Sequence, residues 1–261
     1  VNIIIDYVGL IVWHKGIGVA AFGTVFGMLV GCMVFLLHLR RKDRMCHFIW
    51  KYNKTAGVRL AEIIKPGLPQ AVSYILVIIQ SFQANNILES ALGTSGLGNV
   101  AIIYNVQIMA ATIILAVTGA SVPMFATYHG EGNTDGIRII KRISLKFGIL
   151  VFLPFMIILV VSPQLITRIF MTEDPVMTAT LPSAIRITAT GKIFMLINMI
   201  FCAHLQSVDR EMDAFTANVL QGVIQVVAAF LLAVVMPENA PWLSMLLSYV
   251  IAYLYLVFCC R

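Results

Sequence analysis

The chain has 261 residues, 60% of them apolar and 11% charged, with a formal net charge of +6. A soluble domain holds roughly 45–50% apolar and about 25% charged residues, so the surplus apolar surface here requires lipid. This balance excludes a disordered chain, a disulfide scaffold and a secreted soluble domain. It also argues against a nucleic-acid partner, because 14 of the 18 Lys and Arg fall in segments assigned below to the cytoplasm.

Crossing about 30 Å of hydrocarbon takes about 20 helical residues, and polar breaks divide the chain into eight apolar segments. In order these are Val1–Trp13, Gly18–Leu39, Pro66–Leu88, Val100–Tyr128, Phe147–Val161, Leu181–Leu205, Ala214–Met236 and Trp242–Cys260. Their continuous apolarity predicts helices, since strands of a membrane barrel would alternate in units of about ten residues. The expected fold class is therefore all-α and polytopic.

The first segment is short for a span and begins at Val1 with neither Met nor a polar leader, so helices preceding it are expected to be missing. Asp6 lies inside this segment, whereas the other eleven carboxylates lie at predicted helix ends or in loops. An acid in mid-membrane costs on the order of 3 kcal/mol, so Asp6 should face protein and is suited to exchanging a cation. Asn2 falls one turn away on the same face, and Thr24 adds a hydroxyl from the second segment. A carboxylate beside two side-chain oxygens suits a proton relay or a sodium ion. Asn2 and Asp6 could equally hold neighbouring helices together.

Between the second and third segments, Arg40, Arg41, Lys42, Arg44, Lys51, Lys54, Arg59 and Lys65 outnumber Asp43 and Glu62. This connection reads as cytoplasmic, either as a solvated loop or as an interfacial helix carrying Phe48, Trp50 and Tyr52. Alternation then puts Glu131–Lys146, Ser207–Asp213 and the C-terminus at Arg261 in the cytoplasm, while Lys15 and Arg168 are the only bases of the opposite connections.

The third segment carries Gln70, Ser73 and Gln80 on one face, with Gln83 and Asn86 a turn later. Tyr104 and Gln107 pair on the fourth, Asn198 lies on the sixth, and Asn218, Gln221 and Gln225 line the seventh. Such amides and hydroxyls could line a water-filled substrate cleft, or could tie helices together at about 0.6 kcal/mol each. In the sixth segment Arg186 lies near enough to the outer surface to snorkel. Lys192 lies deeper and needs an interior partner or water, and both Arg186 and Lys192 are candidate charged residues of the cleft.

The five Cys lack metal or redox spacing, and the five His lie at helix ends or in loops without H-E-x-x-H or G-x-S-x-G patterns. An intramembrane enzyme is therefore a remote alternative, and no catalytic residue or cofactor is expected.

Asn2-x-x-x-Asp6 followed by an outer turn and a small-residue span weakly repeats as Asn218-x-x-Gln221, the turn Pro237–Pro241 and the last span. That repeat makes residues 1–39 the last two helices of one lobe, 40–65 a basic inter-lobe linker, and 66–261 a second six-helix lobe. With Gly16-x-Gly18, Lys65-Pro-Gly-Leu-Pro-Gln70, Gly119-x-x-x-Pro123, Tyr128-x-Gly130-x-Gly132 and Leu205-Gln-Ser-Val-Asp-Arg210, the chain resembles the multidrug and toxic compound extrusion family. The resemblance implies a two-lobed, twelve-helix secondary transporter, of which this chain would hold the end of the fifth helix through the twelfth.

It further implies proton- or sodium-coupled export of small, mostly apolar or cationic organic compounds across a bacterial cytoplasmic membrane. Asn2, Asp6 and Thr24 match the family's first-lobe cation site, whose remaining members, including an acid on the first helix, would precede this chain. The partners implied are small organic substrates, membrane lipid and those preceding helices. Some members carry a carboxylate in the middle of the helix that starts here at Pro66; this chain has Ile75-Leu-Val-Ile-Ile79 instead, so coupling is expected in the first lobe. The rival within the same superfamily is a lipid-linked oligosaccharide flippase.

Overall fold

The computed structural model describes residues 1–14, 16, 18–39, 56–170 and 174–259, without the side chains of 39 and 56–70. Most of the basic linker, the Gln70 side chain and Arg261 therefore lie outside the described residues. Every regular element among those residues is helical, and seven helices are long and apolar enough to cross a membrane. The chain separates into two compact units, Val1–Leu60 and Ala61–Arg261.

The first unit pairs two helices. Helix α1 runs Asn2–Asp6 as α-helix and widens into π-helical turns over Tyr7–Val12, closed by Trp13 N–H donating to the Val8 carbonyl at 2.9 Å. After the turn, α2 runs Gly18–Leu39. The two helices can approach because small residues meet the facing side chains. Gly9 is buried, and a Cβ there would overlap the Val19 side chain. A Cβ at Gly27 would make only ordinary contact, 3.4 Å from the Asn2 Cβ, and one at Gly31 would meet nothing within 4 Å.

The second unit contains α3 (Ala56–Leu92), apart from its first turn at 56–60, together with α4 (Thr94–Gly130), α5 (Thr134–Val161), the short α6 (Gln164–Ile169), α7 (Pro175–Ser207), α8 (Glu211–Ala233) and α9 (Ala240–Cys259). Helix α7 is the most buried of the spans and packs on α4, α5, α8 and α9. Its apolar residues run through three core clusters. Leu181 and Ile185 pack with Leu88, Ile103, Leu159 and Trp242; Leu196 and Ile200 with Ile114, Phe125 and Phe152; Phe201 and Leu205 with Ala214 and Leu256. In lipid such packing works through dispersion and shape rather than expulsion of water. Outside this core, Phe82, Leu150, Phe230 and Phe258 stay exposed, as hydrocarbon permits.

Local chemistry sets the helix starts. The Asp174 carboxylate caps α7, accepting from the backbone N–H groups of Val176 at 2.8 Å and Met177 at 3.3 Å, with Pro175 in the first turn. The Asn133 side chain caps α5 by accepting from Gly136 N–H at 2.8 Å. Gly93 and Gly132 take φ of +64° and +67° in the turns before α4 and α5, a region that costs a Cβ-bearing residue about 1–2 kcal/mol.

Several boundaries differ from the sequence reading. Helix α3 begins at Ala56 rather than Pro66, and α5 at Thr134 rather than Phe147, so most of the presumed loop 131–146 is helical. Hydropathy marks where a helix meets lipid; Arg138, Lys141, Arg142 and Lys146 are helix formers that extend α5 beyond that point. The connection between α5 and α7 likewise contains the unexpected α6, which packs on α7 and buries Ile166.

Candidate functional site

Two polar sites emerge, one in each unit. In the first, Asn2 stands one turn from Asp6 and faces Thr24 of α2. The Asn2 amide donates from Nδ2 to Asp6 Oδ2 and accepts at its oxygen from the Thr24 hydroxyl, both at 3.0 Å. Asp6 Oδ1 is buried with no hydrogen-bond partner. Gly23 makes the room for it, since a Cβ there would lie 2.7 Å from Oδ1. The structure thus brings together the three residues singled out in sequence. Carboxylate, amide and hydroxyl oxygens are ligands that suit a hard monovalent cation or a relayed proton.

The second site is a cleft of about 360 Å³ lined by α3, α4, α7, α8 and α9. Gln80, Tyr104, Gln107, Lys192, Asn198 and Tyr249 line it, and Asn218, Gln221 and Gln225 add amides from α8. An adjoining cleft of about 430 Å³ shares Gln80, Asn218 and Gln221 and includes Ser73. A smaller one, about 110 Å³, includes Gln83. No carboxylate lines any of the three.

Several of these polar groups also hold helices together. Gln80 and Gln83 of α3 donate to the Gly222 and Val226 carbonyls of α8, at 3.3 and 2.9 Å. Asn198 donates from Nδ2 to the Tyr249 carbonyl at 2.9 Å, leaving its buried Oδ1 without a partner. Lys192 is 3% exposed. Its Nζ donates to Gln107 Oε1 and to the Tyr249 hydroxyl, each at 3.2 Å, and approaches Met195 Sδ at 3.4 Å.

Two candidates fall elsewhere. Asn86 is exposed and outside all three clefts. Arg186 is also exposed and donates from Nε to the Val160 carbonyl at 3.1 Å, closing the last turn of α5. An arginine there satisfies a helix C-terminus and complements its dipole, so it is a packing clip rather than a cleft residue.

Sequence reasoning missed Tyr249, because a tyrosine in an apolar run has no local partner that marks it. It also missed the end of the unit where Ser95 donates to Asp174 Oδ2 at 2.6 Å and Asn99 to Thr180 Oγ1 at 2.7 Å. The Asp174-Pro175 pair was the available signal, being a helix-start pattern. The Ser95 hydroxyl holds the Asp174 carboxyl below its ordinary value of 3.8; partial burial opposes this, and the Met177 and Val176 N–H groups reinforce it.

A family model described as MatE matches residues 69–231. The chain belongs to the MatE family. It is 22% identical over 232 residues to the multidrug export protein MepA of Staphylococcus haemolyticus, covering 89% of this chain and 51% of that protein. Against MepA of Staphylococcus aureus strain MSSA476 the identity is 20% over 234 residues, with 88% and 51% covered. The chain thus spans about half the length of the curated relatives it matches.

Among solved structures, the outward-facing conformation of a multidrug resistance MATE family transporter of the MOP superfamily aligns with a TM-score of 0.81 at 18% identity. That alignment covers 99% of this chain and 59% of the other. A MOP superfamily transporter from Pyrococcus furiosus, whose structure is described as having a binding pocket of reverse polarity, aligns with a TM-score of 0.81 at 18% identity, over 98% and 58%. At these identities the likeness speaks for the fold, which in these MATE structures is two-lobed with twelve helices. The MatE chain is a multi-pass membrane protein of a transporter family, not an enzyme.

Proposed function

We propose that the protein works as part of a secondary transporter that exports small organic compounds in exchange for protons or sodium ions by alternating access. It would act in a bacterial cytoplasmic membrane with its C-terminus inside. The family and the multidrug export proteins among its relatives support export; the observation that carries the coupling is the buried, unpartnered Oδ1 of Asp6 beside Asn2 and Thr24.

With Nδ2 toward Asp6 Oδ2 the Asn2 amide stabilises the bare carboxylate, and a proton or cation loaded onto Asp6 competes with that hydrogen bond. The resulting exchange of a charged for a neutralised site inside lipid changes the cost of burying it, and so biases which access state the transporter adopts.

Replacing Asp6 with Asn preserves shape and hydrogen-bonding capacity but removes the exchangeable charge. In proteoliposomes holding the complete transporter under an imposed proton or sodium gradient, Asp6→Asn is expected to abolish gradient-driven movement of fluorescent aromatic dyes while leaving the helical circular dichroism unchanged. Undiminished movement across a range of external pH and sodium would overturn the coupling role.

A further inference from the structure

Lys192 lies close to the middle of the 33-residue α7, where an ammonium is as costly as a carboxylate. Its partners are the Gln107 amide oxygen, the Tyr249 hydroxyl, the Met195 sulfur and, 5.3 Å away, the face of the Tyr249 ring. All are neutral. Among the described residues no carboxylate comes within 4.0 Å of it, and none lines the three clefts described above. Helix packing alone does not call for such a group, because burying an ammonium against only neutral partners carries a desolvation cost that an apolar residue would not. The charge lines the cleft with no counterion within 4.0 Å among the described residues.

We propose that Lys192 binds the carboxylate of a small organic anion in this cleft, so that the transported compound carries an acid group. The proposal rests on the export reading above, in that it takes the cleft to hold the substrate. The Gln107 amide and the Tyr249 hydroxyl supply further N–H and O–H donors at the same position, and Tyr104 offers a ring to an apolar body. One ammonium matches one negative charge. A phosphate, at about −1.5 to −2, gathers several cations and would be left under-compensated here. A cationic compound would be repelled by Lys192, which narrows the cationic or apolar substrate class that the family resemblance implied.

The test is equilibrium binding to the purified protein of three probes: 1-naphthoate, its cationic analogue 1-naphthylmethylammonium, and dodecyl phosphate as a lipid-like phosphate. Naphthoate is expected to bind at least about tenfold more tightly than the ammonium and more tightly than dodecyl phosphate. Lys192→Met should remove that preference, Lys192→Arg should keep it, and Tyr249→Phe should weaken naphthoate about threefold or more. Lys192→Met should keep the helical circular dichroism and monodisperse elution of the parent protein, which separates lost binding from lost fold.

Equal or tighter binding of the ammonium, no binding of naphthoate, or naphthoate binding indifferent to Lys192→Met would overturn the proposal. Tighter binding of dodecyl phosphate would overturn the carboxylate in favour of a phosphate headgroup. Binding needs no gradient. Anion preference without gradient-driven transport would therefore fault the export reading alone, and transport without anion preference would fault this one alone.

Discussion

A Cβ at Gly23 would lie 2.7 Å from Asp6 Oδ1, with Ile5 Cγ2 at 3.1 Å closing the neighbouring direction. Carbon and oxygen approach no closer than about 3.3 Å in a comfortable contact, so in Gly23→Ala the carboxylate or the whole of α1 must retreat by about 0.6 Å. Overpacking of this kind costs about 1–3 kcal/mol. The added methyl also returns up to about 1 kcal/mol of helix propensity, so Gly31→Ala, which meets nothing within 4 Å, serves as the reference for propensity alone. Gly27→Ala makes only an ordinary contact and should behave like Gly31→Ala.

The readout is amide hydrogen exchange over Asn2–Val12 in micelles. Relative to Gly31→Ala, the Gly23→Ala protein should open α1 about 5- to 150-fold more often, the range that corresponds to 1–3 kcal/mol. Equal exchange in the two variants would refute the argument that Gly23 is the floor against which Asp6 is held.

Two further outcomes follow from the second unit. The folded carboxyl of Asp174 titrates below its ordinary value because Ser95 donates to it; its contribution is therefore present above the unfolded value of about 3.9 and is lost as pH falls through the lower folded value. The thermal midpoint should drop on acidification below about pH 4, and Asp174→Asn, still a good helix cap, should flatten that limb; identical acid limbs would refute it. Gln83→Leu removes a single interhelical hydrogen bond to Val226, so it should cost about 0.6 kcal/mol in unfolding measurements and leave naphthoate affinity unchanged. A loss of naphthoate binding would make Gln83 a ligand contact instead.

Periodic cost in lipid made some of this molecule legible and left the rest dark. Asp6 could be singled out because an acid inside an apolar run has few acceptable environments, and its i, i+4 spacing from Asn2 is local geometry. Thr24 could be named as a hydroxyl on the next segment, but its contact with a residue 22 positions away was not legible, since nothing near it in sequence marks that partner. The π-helical widening after Asp6 was not legible, for its visible correlate is the fit of Gly9 against Val19 across two helices. The same reason governs the second unit. Gln80 and Gln83 share a polar stripe with no sign of what it faces, and the answer is set by two α8 carbonyls more than 140 positions away.

Lys192 is the instructive case, because its depth was readable from hydropathy whereas its surroundings were not. An interior partner could have been an acid, which would have made it a structural ion pair. The packing of α7 against α4 and α9 instead supplies Gln107 and Tyr249, 85 positions before it and 57 after. Substituting a neutral partner for an acid turns a buried lysine from a packing device into an uncompensated charge facing a cleft. Sequence spacing alone could not distinguish these cases, because the distinction lies in which helices meet.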